Sequence, residues 1–184
     1  MLRRACITVL LLLSSCDVLV AAGTPALWLD VPYVKQEKDG CGAASIAMVM
    51  QYWRQQQHQP ASPNVEYGHI QSALYSPAAH GIYASAMQRY LQQNGFAAFA
   101  FTGDWAALKH HLEKGRPMIV ALNPGGHSPL HYVVVAGLNE EDQLVLVNDP
   151  AQRKLLKENI ATFEQEWKAT GHWTLLAVPA ERSR

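Results

Sequence analysis

The sequence predicts an α+β domain, with N-terminal helices packed on a C-terminal twisted antiparallel β-sheet. Up to about position 114 most segments carry apolar residues at helical spacing, and beyond Pro117 short β-branched runs are separated by turn residues. Helices come first and strands second, whereas strict alternation would indicate a parallel sheet. The chain of 184 residues, less a short targeting segment, is long enough for one domain with its own core, and it shows no internal repeat or low-complexity tract.

The elements follow in order. Thr24 to Val34 reads as a linker entering a short strand, Leu27 to Val31, before Pro32. A first helix is expected from Cys41 to Gln57, closed by Pro60. A second covers Glu66 to Tyr75, and a third Ile82 to Gln93, where Asn94-Gly95 suits a helix C-terminus. Ala97 to Thr102 is a short apolar strand, and Asp104 to Lys114 is amphipathic, with Trp105, Leu108 and Leu112 on one face. Pro117 to Leu122 is a strand, followed by the Pro/Gly loop Asn123 to Leu130. His131 to Gly137 and Gln143 to Val147 form a hairpin about the turn Asn139-Glu140-Glu141-Asp142. A last helix is expected from Lys157 to Ala169, and a last strand from His172 to Val178.

The N-terminus has the pattern of an export signal. Met1-Leu2-Arg3-Arg4 is positive, and the apolar run Ala5 to Leu13 is short for a bilayer span. It ends in Leu13-Ser14-Ser15-Cys16, which resembles the lipobox of bacterial lipoproteins. On that resemblance residues 1–15 are a signal peptide, Cys16 carries the lipid, and residues 16–27 link it to a domain at 28–180. Asp17, directly after the lipid cysteine, implies retention at the inner membrane, facing the periplasm. A competing cut after Val20-Ala21-Ala22 releases a soluble protein instead.

Composition narrows the function. Lys and Arg balance Asp and Glu, charged residues are sparse at 16%, and there is no basic run, zinc-knuckle spacing or aromatic-basic interleaving, so nucleic acid is not an expected partner. With Cys6 lost in the signal and Cys16 lipidated or removed, Cys41 is the one thiol of the domain. An unpaired cysteine in an exported protein marks a reactive thiol.

Cys41 lies in Gln36-Glu37-Lys38-Asp39-Gly40-Cys41-Gly42-Ala43-Ala44-Ser45, after a glycine turn and at the head of a helix. The positive end of the helix dipole and its unpaired amides favour the thiolate, the nucleophilic form. Gly42, Ala43 and Ala44 leave room for a carbonyl, and Gln36 can donate to an oxyanion. The plainer reading of this cysteine is a small hydrophobe starting a core helix.

Cysteine catalysis also needs a base and a group that orients it. A hairpin centred on Asn139–Asp142 pairs His131 with position 150, beside Asp149, at one end of the sheet. The neighbouring Asn148 is an alternative orienting residue. Side chains alternate along a strand, so only one of the two can face His131. His127 sits in a glycine-flanked loop, and His110-His111 lacks the partner set of a metal site. No metal or organic cofactor is expected.

These residues resemble the papain-like cysteine peptidases related to the bacteriocin-processing, double-glycine leader peptidases. The resemblance is carried by Asp30-Val31-Pro32-Tyr33 before Gln36, Gly40-Cys41-Gly42-Ala43-Ala44, Gly115 to Val120, His131 to Gly137, and Asn148-Asp149-Pro150. It implies a papain-like fold, with Cys41 as nucleophile, His131 as general base and acid, and Asp149 as the residue orienting His131. Gln36 and the Cys41 amide are then the oxyanion donors, and the substrate is a peptide or protein of the bacterial cell envelope. The family's order favours Asp149 over Asn148. Transporter-fused members work in the cytosol, whereas this chain carries an export signal, so double-glycine specificity is not carried over; a secretion or export system is a candidate partner. Three other functions use the same residues or the same cleft. A peptidoglycan amidase usually shows Asp-Cys-Ser-Gly, where this chain has Gly-Cys-Gly-Ala. Acyl transfer resolves the thioester with an amine. A non-catalytic peptide-binding module typically lacks the cysteine or histidine that this chain keeps.

Overall fold

The computed structural model describes residues 26–126 and 130–181. The expected signal peptide, the lipid cysteine Cys16, the alternative cut after Ala22 and the loop histidine His127 lie outside the described residues.

The elements run β1 (Leu27–Trp28), α1 (Cys41–Gln56), α2 (Tyr67–Leu74), α3 (Ala84–Gln93), β2 (Phe96–Thr102), α4 (Trp105–Glu113), β3 (Met118–Leu122), β4 (His131–Asn139), β5 (Leu144–Asn148), β6 (Leu156–Asn159), α5 (Ile160–Lys168) and β7 (Trp173–Pro179). The strands form one antiparallel sheet in the order β2-β7-β3-β4-β5-β6, with β1 paired to β4. This is the α+β, papain-like arrangement the sequence predicts.

Alternation along the strands builds two cores. Tyr132, Val134 and Ala136 of β4 point to the side of α1, where they meet Ile46, Met50 and Met87. Val133 and Val135 point the other way and pack with Leu108, Phe163 and Trp167 of α4 and α5. The sheet is therefore covered on both faces, by α1 to α3 on one and by α4 and α5 on the other. Every residue of α1 from Gly42 to Met50 is buried, so this helix is apolar nearly all round and is held by packing.

Ends are set by local chemistry. Asp104 caps α4 by accepting from the Ala107 amide at 2.7 Å, and Asn159 caps α5 by accepting from Ala161 at 2.9 Å. Gly95 ends the turn after α3 at φ +87°, a conformation that favours glycine.

Four expectations need correction. The first strand stops at Trp28, because only two residues pair with β4 before Pro32 approaches. The second and third helices begin at Tyr67 and Ala84, later than expected. The last helix begins at Ile160, because Leu156 to Asn159 pair with β5 as strand β6. The hairpin register also differs: Asn139 faces Leu144, a bulge intervenes between Val135 and Gly137, and the ladder ends with Val134 opposite Asn148. His131 is paired with Leu122 of β3 and not with position 150. The turn is centred further along than assumed, and the extra residue of the bulge shifts the register again.

Candidate active site

Cys41 is the first residue of α1, preceded by Gly40 as its N-cap. The first intrahelical bond runs from the Ala44 amide to the Gly40 carbonyl at 3.0 Å, so the Cys41, Gly42 and Ala43 amides have no partner within the helix. Gly40 is required by a close approach: a Cβ there overlaps the Tyr67 hydroxyl, with two ring carbons at 3.0 Å. That hydroxyl in turn accepts from the Glu37 amide at 3.0 Å and holds the loop before the cysteine. Cys41 is a free, half-buried thiol.

Two further ties fix this loop and helix against the sheet. Buried Ser45, one turn beyond Cys41, donates to the Tyr132 carbonyl at 3.2 Å. The Gln36 amide donates to the Pro150 carbonyl at 2.9 Å, which sets Gln36 beside the Asp149 segment. The Oε1 atom of Gln36 is buried with no hydrogen-bond partner.

At the mouth of β4, His131 Nε2 lies 2.8 Å from Asp149 Oδ1, with side-chain exposures of 21% and 4%. Burial alone lowers the basicity of His131. Hydrogen bonds to Asp149 and Cys41, and their negative charge, outweigh it and raise its pKa from 6.5 to about 10. Asp149 and Cys41 together thus favour the imidazolium form of His131, with Asp149 in direct contact. Burial likewise raises the Asp149 carboxyl, and the contact with His131 together with bonds from Ala151 and Gln152 brings it below its ordinary value.

Asn148 does not face His131. Fully buried, it donates to the Val31 carbonyl at 3.1 Å and accepts from the Leu155 amide at 2.9 Å. The adjacent residues have separate tasks: Asn148, the last residue of β5, clamps the segment leading to Gln36, and Asp149, just beyond the strand, meets the imidazole.

The structure thus brings Gln36, Cys41, His131 and Asp149 together at one end of the sheet, Cys41 and Gln36 from the helical side and His131 and Asp149 from the strands. Sequence reasoning missed several supports. Gln152 Nε2 donates to Asp149 Oδ2 at 2.7 Å, and the Ala151 amide donates to Oδ1 at 2.8 Å. The signal for the second bond was present in Asp149-Pro150-Ala151, an aspartate poised to accept from the amide two residues on. The Tyr33 hydroxyl donates to the Asp149 carbonyl at 3.2 Å. His131 and Asp149 line a cavity of about 330 Å³, which Glu158 and Glu166 also line.

Comparison with known proteins follows this geometry. Residues 28–175 match the model of the Peptidase_C39 like family. Among solved structures, the chain is similar to a C39-like peptidase from Bacillus anthracis, at 19% identity and a TM-score of 0.62, covering 88% of this chain and 100% of that one. It is similar to a double glycine motif protease from an AMS/PCAT transporter in complex with the leader peptide, at 22% identity and 0.62, covering 88% and 97%. It is also similar to the peptidase domain of Streptococcus ComA, a bi-functional ABC transporter involved in quorum sensing, at 20% identity and 0.61, covering 79% and 96%. At these identities the likeness establishes the fold. No protein of curated function matches the chain.

Proposed function

The chain belongs to the Peptidase C39-like family, and on that premise we propose that it is a cysteine peptidase acting through Cys41, His131, Asp149 and Gln36. One observation carries the reading: the 2.8 Å contact of His131 with Asp149, on an imidazole whose basicity is also raised by Cys41 at the head of α1. In this arrangement the proton of the thiol resides on His131, and the Cys41 sulfur attacks a peptide carbonyl. The oxyanion accepts hydrogen bonds from the Cys41 amide and the Gln36 side chain. His131 gives its proton to the leaving amine, and a thioester remains. Water attacks the thioester with His131 as base, the carboxylic acid leaves, and the thiol is restored. Asp149 keeps the imidazole oriented and balances its charge.

A peptide substrate is supported by the similar AMS/PCAT protease, which was solved with its leader peptide. The export-type N-terminus supports a substrate in the bacterial envelope, with the enzyme held at the periplasmic side of the inner membrane by a lipid on Cys16 and serving a secretion or export system. In cells, Cys16→Ser is expected to abolish lipid incorporation and to move the protein from the membrane to the soluble fraction. An unchanged distribution refutes the anchor.

The catalytic reading is tested with the purified chain by iodoacetamide labelling across pH and by cleavage of a peptide library. Labelling at Cys41 near neutral pH, slowed about a hundredfold or more by His131→Ala, is expected, together with library cleavage that Cys41→Ala abolishes. Labelling indifferent to His131, with no cleavage, rules the peptidase out.

A further inference from the structure

We propose that Glu158 is a positioning residue of this site, one that acts with Glu166 across the cavity to hold His131 in its protonated, Asp149-bound orientation. The inference deepens the reading of Cys41, His131 and Asp149 given above and rests on it.

The geometry begins with β6. Glu158 is opposite Val145 of β5, so it stands on the face of the sheet covered by α5. Glu166 comes from α5, Asp149 from the segment after β5, and His131 from the mouth of β4. Among the described residues these four are the titratable groups lining the cavity; Lys157, on the same strand as Glu158, alternates to the opposite face. The remaining lining residues, Gln152 among them, are uncharged. Among the described residues neither Glu158 nor Glu166 enters an ion pair, whereas Glu140 and Glu164 both do.

Two half-buried carboxylates facing a third are a destabilising arrangement unless a cation shares the space. Among the described residues, the one cationic group lining the cavity with them is His131. Burial, then Glu166, then Asp149, push Glu158 up from 4.5 to about 7, and only His131 opposes the rise. Burial also raises Glu166, again against His131. The coupling is reciprocal, since a charge that eases the ionisation of Glu158 is itself stabilised by ionised Glu158. Such perturbed groups clustered in a cavity are characteristic of working sites.

The sign of the stability effect follows. A carboxyl whose folded pKa is raised opposes folding as pH climbs from 4.5 through 7, so Glu158→Gln is expected to make the protein more stable at pH 8 while weakening the site.

The test uses the full chain, with the His131 ring resonance assigned through His131→Asn and followed by NMR against pH. Glu158→Gln is expected to lower the His131 midpoint by about half a unit or more, and the alkaline limb of peptide hydrolysis moves with it. Glu158→Asp keeps the charge and is expected to restore most of the shift. A folded Glu158→Gln protein with an unchanged His131 midpoint overturns the proposal. If that variant does not fold, an unchanged midpoint in Glu166→Gln overturns it. The NMR midpoint needs no turnover, so failure of the peptidase reading, seen as alkylation indifferent to His131, is distinguishable from failure of this one.

Discussion

His131 concentrates the chemistry of the molecule in one ring, and its titration makes the first prediction. The folded pKa of about 10 exceeds the ordinary 6.5, so the interaction stabilises the fold fully below about pH 6.5 and is lost as pH rises through 10. Asp149 is shifted the opposite way, and its contribution is present above its ordinary 3.8 and lost as pH falls through the lowered value. Asp149→Asn removes the strongest influence that raises His131 and leaves burial, which lowers it, opposed by Cys41 alone. The alkaline limb of peptide hydrolysis, which needs the imidazolium as acid, is therefore expected to move well below 10, with neutral-pH hydrolysis reduced on the order of a hundredfold. An alkaline limb that stays in place in Asp149→Asn refutes the role given to this carboxylate. Asn148 next to it is the instructive contrast, since the sequence offers both as orienting residues and only the direction of each side chain at the end of β5 separates them.

Between α1 and β4, alignment depends on a bond that no sequence pattern announced. The Ser45 hydroxyl spans from the turn after Cys41 to the Tyr132 carbonyl, the residue next to His131. Ser45→Ala leaves that carbonyl without its side-chain donor and is expected to cost about 1 kcal/mol in urea unfolding. It is also expected to slow alkylation of Cys41 more than tenfold, because the thiol and the imidazole lose their common tie; full alkylation at wild-type rate shows that packing alone aligns them. At this scale the sequence was legible where periodicity was clean: α1, β3, β4, β5 and β7 lie where apolar spacing and β-branched runs put them. It was illegible at β6, where the short alternation of Leu156 to Asn159 adjoins a capped helix and the two merge in a one-dimensional reading. That merger concealed Glu158, whose place beside His131 exists only because β6 is a strand. The hairpin brought His131 and Asp149 to the same end despite a shifted register. Asp149 lies beyond the ladder and is aimed by its own bond from Ala151, so it tolerates a slip that an in-strand residue would not.

Across the whole molecule, the site depends on two distant chain regions being held in register. The segment 31–36 carries the oxyanion donor and the segment 148–150 carries the residue orienting the base, and each bonds to the other: Asn148 to the Val31 carbonyl, Tyr33 to the Asp149 carbonyl, the Gln36 amide to the Pro150 carbonyl. Asn148 is the hub, because its side chain also receives the Leu155 amide and closes the loop after Asp149. Removing it leaves buried backbone groups unpaired, so Asn148→Ala is expected to destabilise the fold by about 3 kcal/mol. The functional consequence divides by mechanism. Alkylation is a direct displacement at carbon and builds no oxyanion, whereas peptide hydrolysis does. If Asn148 acts by keeping Gln36 in place, Asn148→Ala resembles Gln36→Ala: both lose about a hundredfold or more in peptide hydrolysis while Cys41 alkylates near the wild-type rate. Equal loss of alkylation and hydrolysis in Asn148→Ala, measured where the protein is still folded, shows instead that the clamp supports His131 and Asp149. The oxyanion donor would then have to be held by the Gln36 amide bond to Pro150 alone.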